Sequence, residues 1–131
     1  MAYEIAGYPV KITLVAGADL SSKQYLFVKL NTSGQAVICD GATDSPIGVL
    51  QNDPASGEEA SVLVVGGTKL VAGAAINPGV KIGTSATAKA DAKVAGTDTT
   101  EYTVGVVLTA SAADGDIITA VINCASPNRA A

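Results

Sequence analysis

The chain has 131 residues, enough for one domain whose core needs no metal or disulfide staple. Twelve acidic residues against eight basic ones give a net charge of −4, which argues against nucleic acid as a primary ligand, because a phosphate backbone demands clustered Lys and Arg. No His is present, so the commonest general base, the commonest transition-metal ligand and every Ser-His triad are excluded.

Residues 1–10 read as an N-terminal arm. They lack a charged segment followed by an apolar run, so no secretory signal is expected and synthesis in the cytosol is. Val10, Ile12 and Leu14 alternate with Lys11 and Thr13, the pattern of a half-buried strand. Gln24 to Leu30 reads as a second strand. Ala36 to Cys39 is its hairpin partner, after a Thr32-Ser33-Gly34 turn. Ile47 to Leu50 follows Asp44-Ser45-Pro46, and the loop from Asn52 to Gly57 leads into a strand from Glu59 to Val65. Thr68 to Val71 starts the plan again. Asn77-Pro78-Gly79 turns the chain into Val80 to Ile82, and Thr84 to Thr100 reads as a looser hairpin with strand candidates around Ala88 and Val94. Tyr102 to Leu108 and Asp116 to Ile122 are the last strands, and Ser126 to Ala131 is expected to fray. No apolar run approaches the roughly 20 residues that span a bilayer, so no membrane partner is expected.

The second half of this plan echoes the first. Leu14-Val15-Ala16-Gly17-Ala18 recurs as Leu70-Val71-Ala72-Gly73-Ala74, Ile47-Gly48-Val49 as Val104-Gly105-Val106, and Gly57-Glu58 as Gly115-Asp116. The order is kept and the offset stays near about 57 residues, the signature of a tandem duplication. The expected fold is all-β with at most short helical turns. It is a compact sandwich or barrel-like single domain over residues 1–131: an arm (1–10), two β modules (11–66 and 67–124) and a tail (125–131). Val62-Leu63-Val64-Val65 and Ile117-Ile118 are apolar on both strand faces, which calls for cover from the rest of the chain or from a neighbouring subunit.

Little in the sequence carries chemistry. No phosphate-binding Gly-x-x-x-x-Gly-Lys-Ser/Thr and no dinucleotide-binding Gly-x-Gly-x-x-Gly is present. Asp114-Gly115-Asp116 resembles a fragment of a calcium loop but lacks the further oxygen ligands; these acids, like Glu58 and Glu59, are expected to solvate turns. Cys39 and Cys124 are expected as reduced, buried small hydrophobes, a bridge being the other reading. Asn31-Thr32-Ser33 is a formal glycosylation sequon expected to serve as a turn. No catalytic, cofactor or metal residue is predicted. The arm has Tyr3, Ile5 and Tyr8 outside the repeated body. They would either pack as an edge strand on their own domain or dock on a partner.

With its arm, its repeated Val-Ala-Gly-Ala and Ile/Val-Gly-Val landmarks and its Gly-Glu/Asp loops, the chain resembles the small capsid decoration (cement) proteins of tailed bacteriophages, a group often mislabelled as predicted recombinases. The matching segments are Ile47-Gly48-Val49, Gly57-Glu58, Val71 to Gly79, Val104-Gly105-Val106 and Gly115-Asp116. Two departures stand out. Ser22-Lys23-Gln24-Tyr25 stands where the family often has Gly-Asp, and the stretch from Asp91 to Glu101 and the tail after Cys124 are longer than usual. The resemblance implies a homotrimer on the outer surface of the expanded head, bridging major capsid protein subunits without catalysis. Tyr3, Ile5 and Tyr8 are then the candidate capsid contacts. Another virion part, such as a head fibre base or tail component, is the alternative, followed by a small His-free enzyme.

Overall fold

Residues 9–131 are the part of the chain that the computed structural model describes, and over them it forms eleven strands and no helix. These are β1 (Val10–Val15), β2 (Phe27–Leu30), β3 (Ala36–Ile38), β4 (Gly48–Leu50), β5 (Glu59–Val71), β6 (Lys81–Thr84), β7 (Ala90–Ala92), β8 (Tyr102–Thr103), β9 (Gly105–Val107), β10 (Ile117–Asn123) and β11 (Asn128–Arg129). Nine of them join one sheet in the order β3-β2-β4-β5-β10-β9-β6-β7, with β1 added to β5; β8 and β11 form a separate ribbon. The sheet curls into a half-barrel, so the fold is all-β and barrel-like.

β5 is the spine. Its first half pairs antiparallel with β1, from Val15↔Glu59 to Val10↔Val65, and with β4 at Val49↔Leu63. Its second half pairs with β10, from Asn123↔Val65 to Ile117↔Val71. Sequence reading splits this strand in two at Gly66-Gly67, because paired glycines usually mark a turn. The strand instead runs straight through the expected module boundary. Gly66 takes φ +136°, a conformation that costs glycine little, and each half of the strand finds its own ladder partner.

The core follows from strand alternation. In β10, Ile118, Ala120 and Ile122 point inward while Ile117, Thr119 and Val121 face out. One cluster gathers Phe27, Leu63, Leu70, Ile82, Ile118 and Ile122; a second gathers Leu20, Val28, Leu50 and Val62. Each such fully buried side chain contributes about 1.5–3 kcal/mol. Both Val62-Leu63-Val64 and Ile118 are thus covered by their own chain, whereas Ile117 is not.

Corresponding landmarks make corresponding bonds. The N–H of Ala16 donates to the Glu58 carbonyl at 2.8 Å, and that of Ala72 to Asp116 at 2.8 Å. Gly17 donates to Ala36 and Gly73 to Ala90; Gly57 donates to Ala16 and Gly115 to Ala72. Gly48 lies so close to the Leu63 carbonyl, and Gly105 to the Val121 carbonyl, that neither site has room for a β-carbon.

Other local expectations also differ from the structure. Ala88 lies not in a strand but at a buried turn with φ +65°, between β6 and β7. Val94 also lies outside the strands, exposed in the loop that follows β7. The tail does not fray: Asn128 and Arg129 pair with Thr103 and Tyr102, and Ala130 is buried. Polar composition masked this docking, in which the buried Ala130 and two backbone bonds, Gly96 N–H to Ala130 and Ala130 N–H to Glu101, add to the β8–β11 ladder.

Candidate interaction surfaces

Lys29 and Lys93 hold the fold through ion pairs with nearby carboxylates. Lys29, on β2, reaches Asp40 at 2.6 Å and Asp44 at 3.0 Å, and these carboxylates, Asp40 foremost, hold its ammonium above the usual lysine range. Burial pushes the Asp44 carboxyl up, but the Lys29 ammonium and the N–H groups of Asp40 and Gly41 outweigh it, leaving Asp44 below the ordinary aspartate value. Lys93 is fully buried. Its three ammonium protons meet the Thr84 carbonyl at 2.9 Å, Asp91 at 2.9 Å and Glu101 at 2.5 Å.

Asp116 and Glu58 serve turns, as sequence reading anticipates, while Glu59 opens β5 and Asp114 enters an ion pair. Asp116 accepts from the N–H groups of Ala112 and Ala113, Asp114 pairs with Lys89 at 2.8 Å, and Glu58 accepts from Ala55 N–H. Asn31 closes an Asx turn by accepting from Ser33 and Gln35. Among the described residues no three His, Cys, Asp or Glu side chains are grouped to hold a metal ion. Cys39 and Cys124 are free, buried thiols in the larger core cluster, each pushed up to about 12 by burial.

Tyr3, Ile5 and Tyr8 lie outside the described residues. The point where their segment joins the body is defined. Pro9 sits over Gly66, where an added β-carbon would meet the Pro9 ring at 3.2 Å. Pro9 thus lies beside the middle of the spine strand.

A second surface comes from β5, β9 and β10. Residues opposite each other in an antiparallel ladder share a face. Ile117 stands opposite Val71, and Val121 opposite Val106 and Gly67. Ile117 is 54% exposed and Val121 46%, while Val71 and Val106 are half-buried. These side chains form two apolar pairs on the outer sheet face, with Thr119 opposite Lys69 between them, and the described chain leaves Ile117 and Val121 uncovered. The sequence hint was Ile117-Ile118, apolar on both faces of one strand.

Comparison with known proteins places this architecture. The profile of a family described as phage cement protein matches residues 8–123. The chain is similar in structure to the N base of the head fiber gp8.5 of bacteriophage phi29, solved by crystallography. That match has a TM-score of 0.66 at 17% identity and covers 89% of this chain and 96% of that one. No curated protein sequence matches significantly.

Proposed function

The chain belongs to the phage cement protein family and is a structural component of a phage virion, and from that premise we propose that it decorates the outer surface of the head as a homotrimer and bridges subunits of the major capsid protein. The exposed Ile117 and Val121, each beside a half-buried valine, carry this reading. Apolar surface left on a sheet face is stabilised by about 25 cal/mol per Å² once another surface covers it, and a neighbouring copy or the shell supplies that cover. The role is adhesive rather than catalytic. The equivalent bonds, Ala16 to Glu58 and Gly57 to Ala16 in one half, Ala72 to Asp116 and Gly115 to Ala72 in the other, support reading 11–66 and 67–124 as tandem modules of one body.

In this reading the arm docks on the major capsid protein through Tyr3, Ile5 and Tyr8. Threefold symmetry presents three arms to one site on the shell, and weak contacts add through effective concentration. The test is co-sedimentation with expanded, undecorated heads. The full chain should pellet with the heads, and deletion of Met1 to Tyr8 should weaken pelleting while the melting curve is kept. Failure of the full chain to pellet contradicts the reading. Unchanged pelleting of the truncated chain removes the arm from it, and loss of folding assigns the arm to its own domain as an edge strand.

A second reading, the base of a head fibre, draws on the fold shared with the phi29 head fiber N base. It differs in requiring a further chain segment or protein to extend from the body on the virion.

A further inference from the structure

Between the β8–β11 ribbon and the ends of β6, β9 and β10 lies a groove of about 350 Å³. Its charge is one-sided. Lys81 and Arg129 line it, and no Asp or Glu does, although acids outnumber bases in the chain. Lys93 also lines it, but the ammonium of Lys93 is committed to Thr84, Asp91 and Glu101. The five ion pairs among the described residues use Lys29, Lys89 and Lys93; Lys81 and Arg129 enter none of them.

Arg129 is the chain's sole Arg. Its guanidinium stacks over the Tyr102 ring, 5.4 Å from the centroid, and the two residues are paired across the β8–β11 ribbon. The contact holds the cation against the ring, and its N–H groups make no hydrogen bond within the described residues, so they are open to a two-oxygen acceptor. Asn123, Ser126 and Asn128 line the same groove. Elsewhere Asn31 and Asn52 spend their side chains on the chain's own backbone. Those of Asn123, Ser126 and Asn128 make no hydrogen bond within the described residues. Two cationic and three amide or hydroxyl residues thus line one recess, four of them on paired strands.

We propose that this groove binds a carboxylate-bearing segment of a partner protein, with Arg129 as the two-pronged donor and Lys81 as the second cation. A nucleic acid would have to approach a chain of net charge −4, whereas a short acidic segment needs only this local potential. That the partner is a protein rests on the shell-binding reading above; that the ligand is a carboxylate rests on the groove itself.

The experiment is fluorescence anisotropy with a labelled hexaglutamate peptide, using the full chain, Lys81→Gln, Arg129→Lys, Arg129→Ala and the control Lys23→Ala. Expected are saturable binding that weakens as salt rises, a loss of about tenfold or more in Lys81→Gln and Arg129→Ala, an intermediate loss in Arg129→Lys, and no change in Lys23→Ala. Melting curves check that each variant is folded, and Lys81→Gln leaves the Arg129–Tyr102 stack intact should the Arg129 variants unfold. No binding by the full chain, or equal binding by Lys81→Gln and folded Arg129→Ala, overturns the proposal. Equal displacement by inorganic phosphate at the same concentration overturns the assignment to carboxylate. Co-sedimentation with undecorated heads separates the two readings. If the full chain pellets and the folded groove variants pellet equally, the groove proposal fails and shell binding stands. If the peptide binds but the full chain does not pellet, shell binding fails alone.

Discussion

The backbone N–H of Phe27 donates to the carbonyl of Ala88 at 2.9 Å. The bond ties the first strand of one hairpin to the turn of the other, and both residues are fully buried. Ala88 achieves this with φ +65°, where a side chain is costly. The corresponding turn in the first half has Gly34 at φ +75°. Ala88→Val should therefore destabilise the protein by about 3 kcal/mol or more, since a branched side chain fits neither that backbone nor the packed site. Ala88→Gly should change stability by no more than about 1 kcal/mol, with backbone relief offsetting the lost methyl. Urea unfolding measures both; a mild Ala88→Val would refute the strain argument.

Gly48 and Gly105 occupy matching places under the carbonyls of Leu63 and Val121. Gly48→Ala and Gly105→Ala should each cost about 2–4 kcal/mol, because backbone oxygen cannot swing aside as a side chain can. Gly67→Ala, with open space around it, should be neutral within about 0.5 kcal/mol. Equal melting temperatures for the three variants would contradict the close-packing account.

Glu101→Gln leaves the buried Lys93 ammonium with only the partly exposed Asp91 as counter-charge. Breaking a buried pair from one side costs about 3–5 kcal/mol, and the 18% exposure of Glu101 places the expected loss at the lower end. The loop after β7 should loosen first, seen as faster amide exchange at Gly96 and Ala130, whose bonds lie beside it. A loss below about 1 kcal/mol would show that water replaces the carboxylate freely.

Cys39 and Cys124 set an alkaline limit. Burial raises both thiols to about 12, above the unfolded value of roughly 8.5. A raised value means that their contribution is complete below the unfolded value and is lost as pH rises toward the folded one. The melting temperature should therefore fall from about pH 9 upward, and Cys39→Ala with Cys124→Ala should flatten that fall. Below pH 8 a reducing agent should leave the melting temperature unchanged; a large drop on reduction would reveal a stabilising bridge.

Much of the strand plan was legible because alternation and turn residues are local. Val10, Ile12 and Leu14 mark β1, and Gly48-Val49-Leu50 is β4. What was hidden depends on distant partners. Gly66-Gly67 reads as a break, yet β1 and β10 hold β5 continuous across it. Tyr25 belongs by composition to β2, but its φ of +65° keeps it outside the strand. The outer apolar residues were half visible in Ile117-Ile118; the pairing of Ile117 with Val71 and of Val121 with Val106 follows only from register. The basic groove had no sequence signal, since Lys81, Thr103, Asn123 and Arg129 meet only through the sheet order and the β8–β11 ribbon.

The most direct test of the central claim is cryo-electron microscopy of the native virion with this chain fitted to the density. The account predicts threefold clusters of the half-barrel on the outside of the expanded head, each touching more than one major capsid protein subunit, with Ile117 and Val121 covered. Finding the chain as isolated copies on single subunits, in the tail, or inside the shell would contradict it.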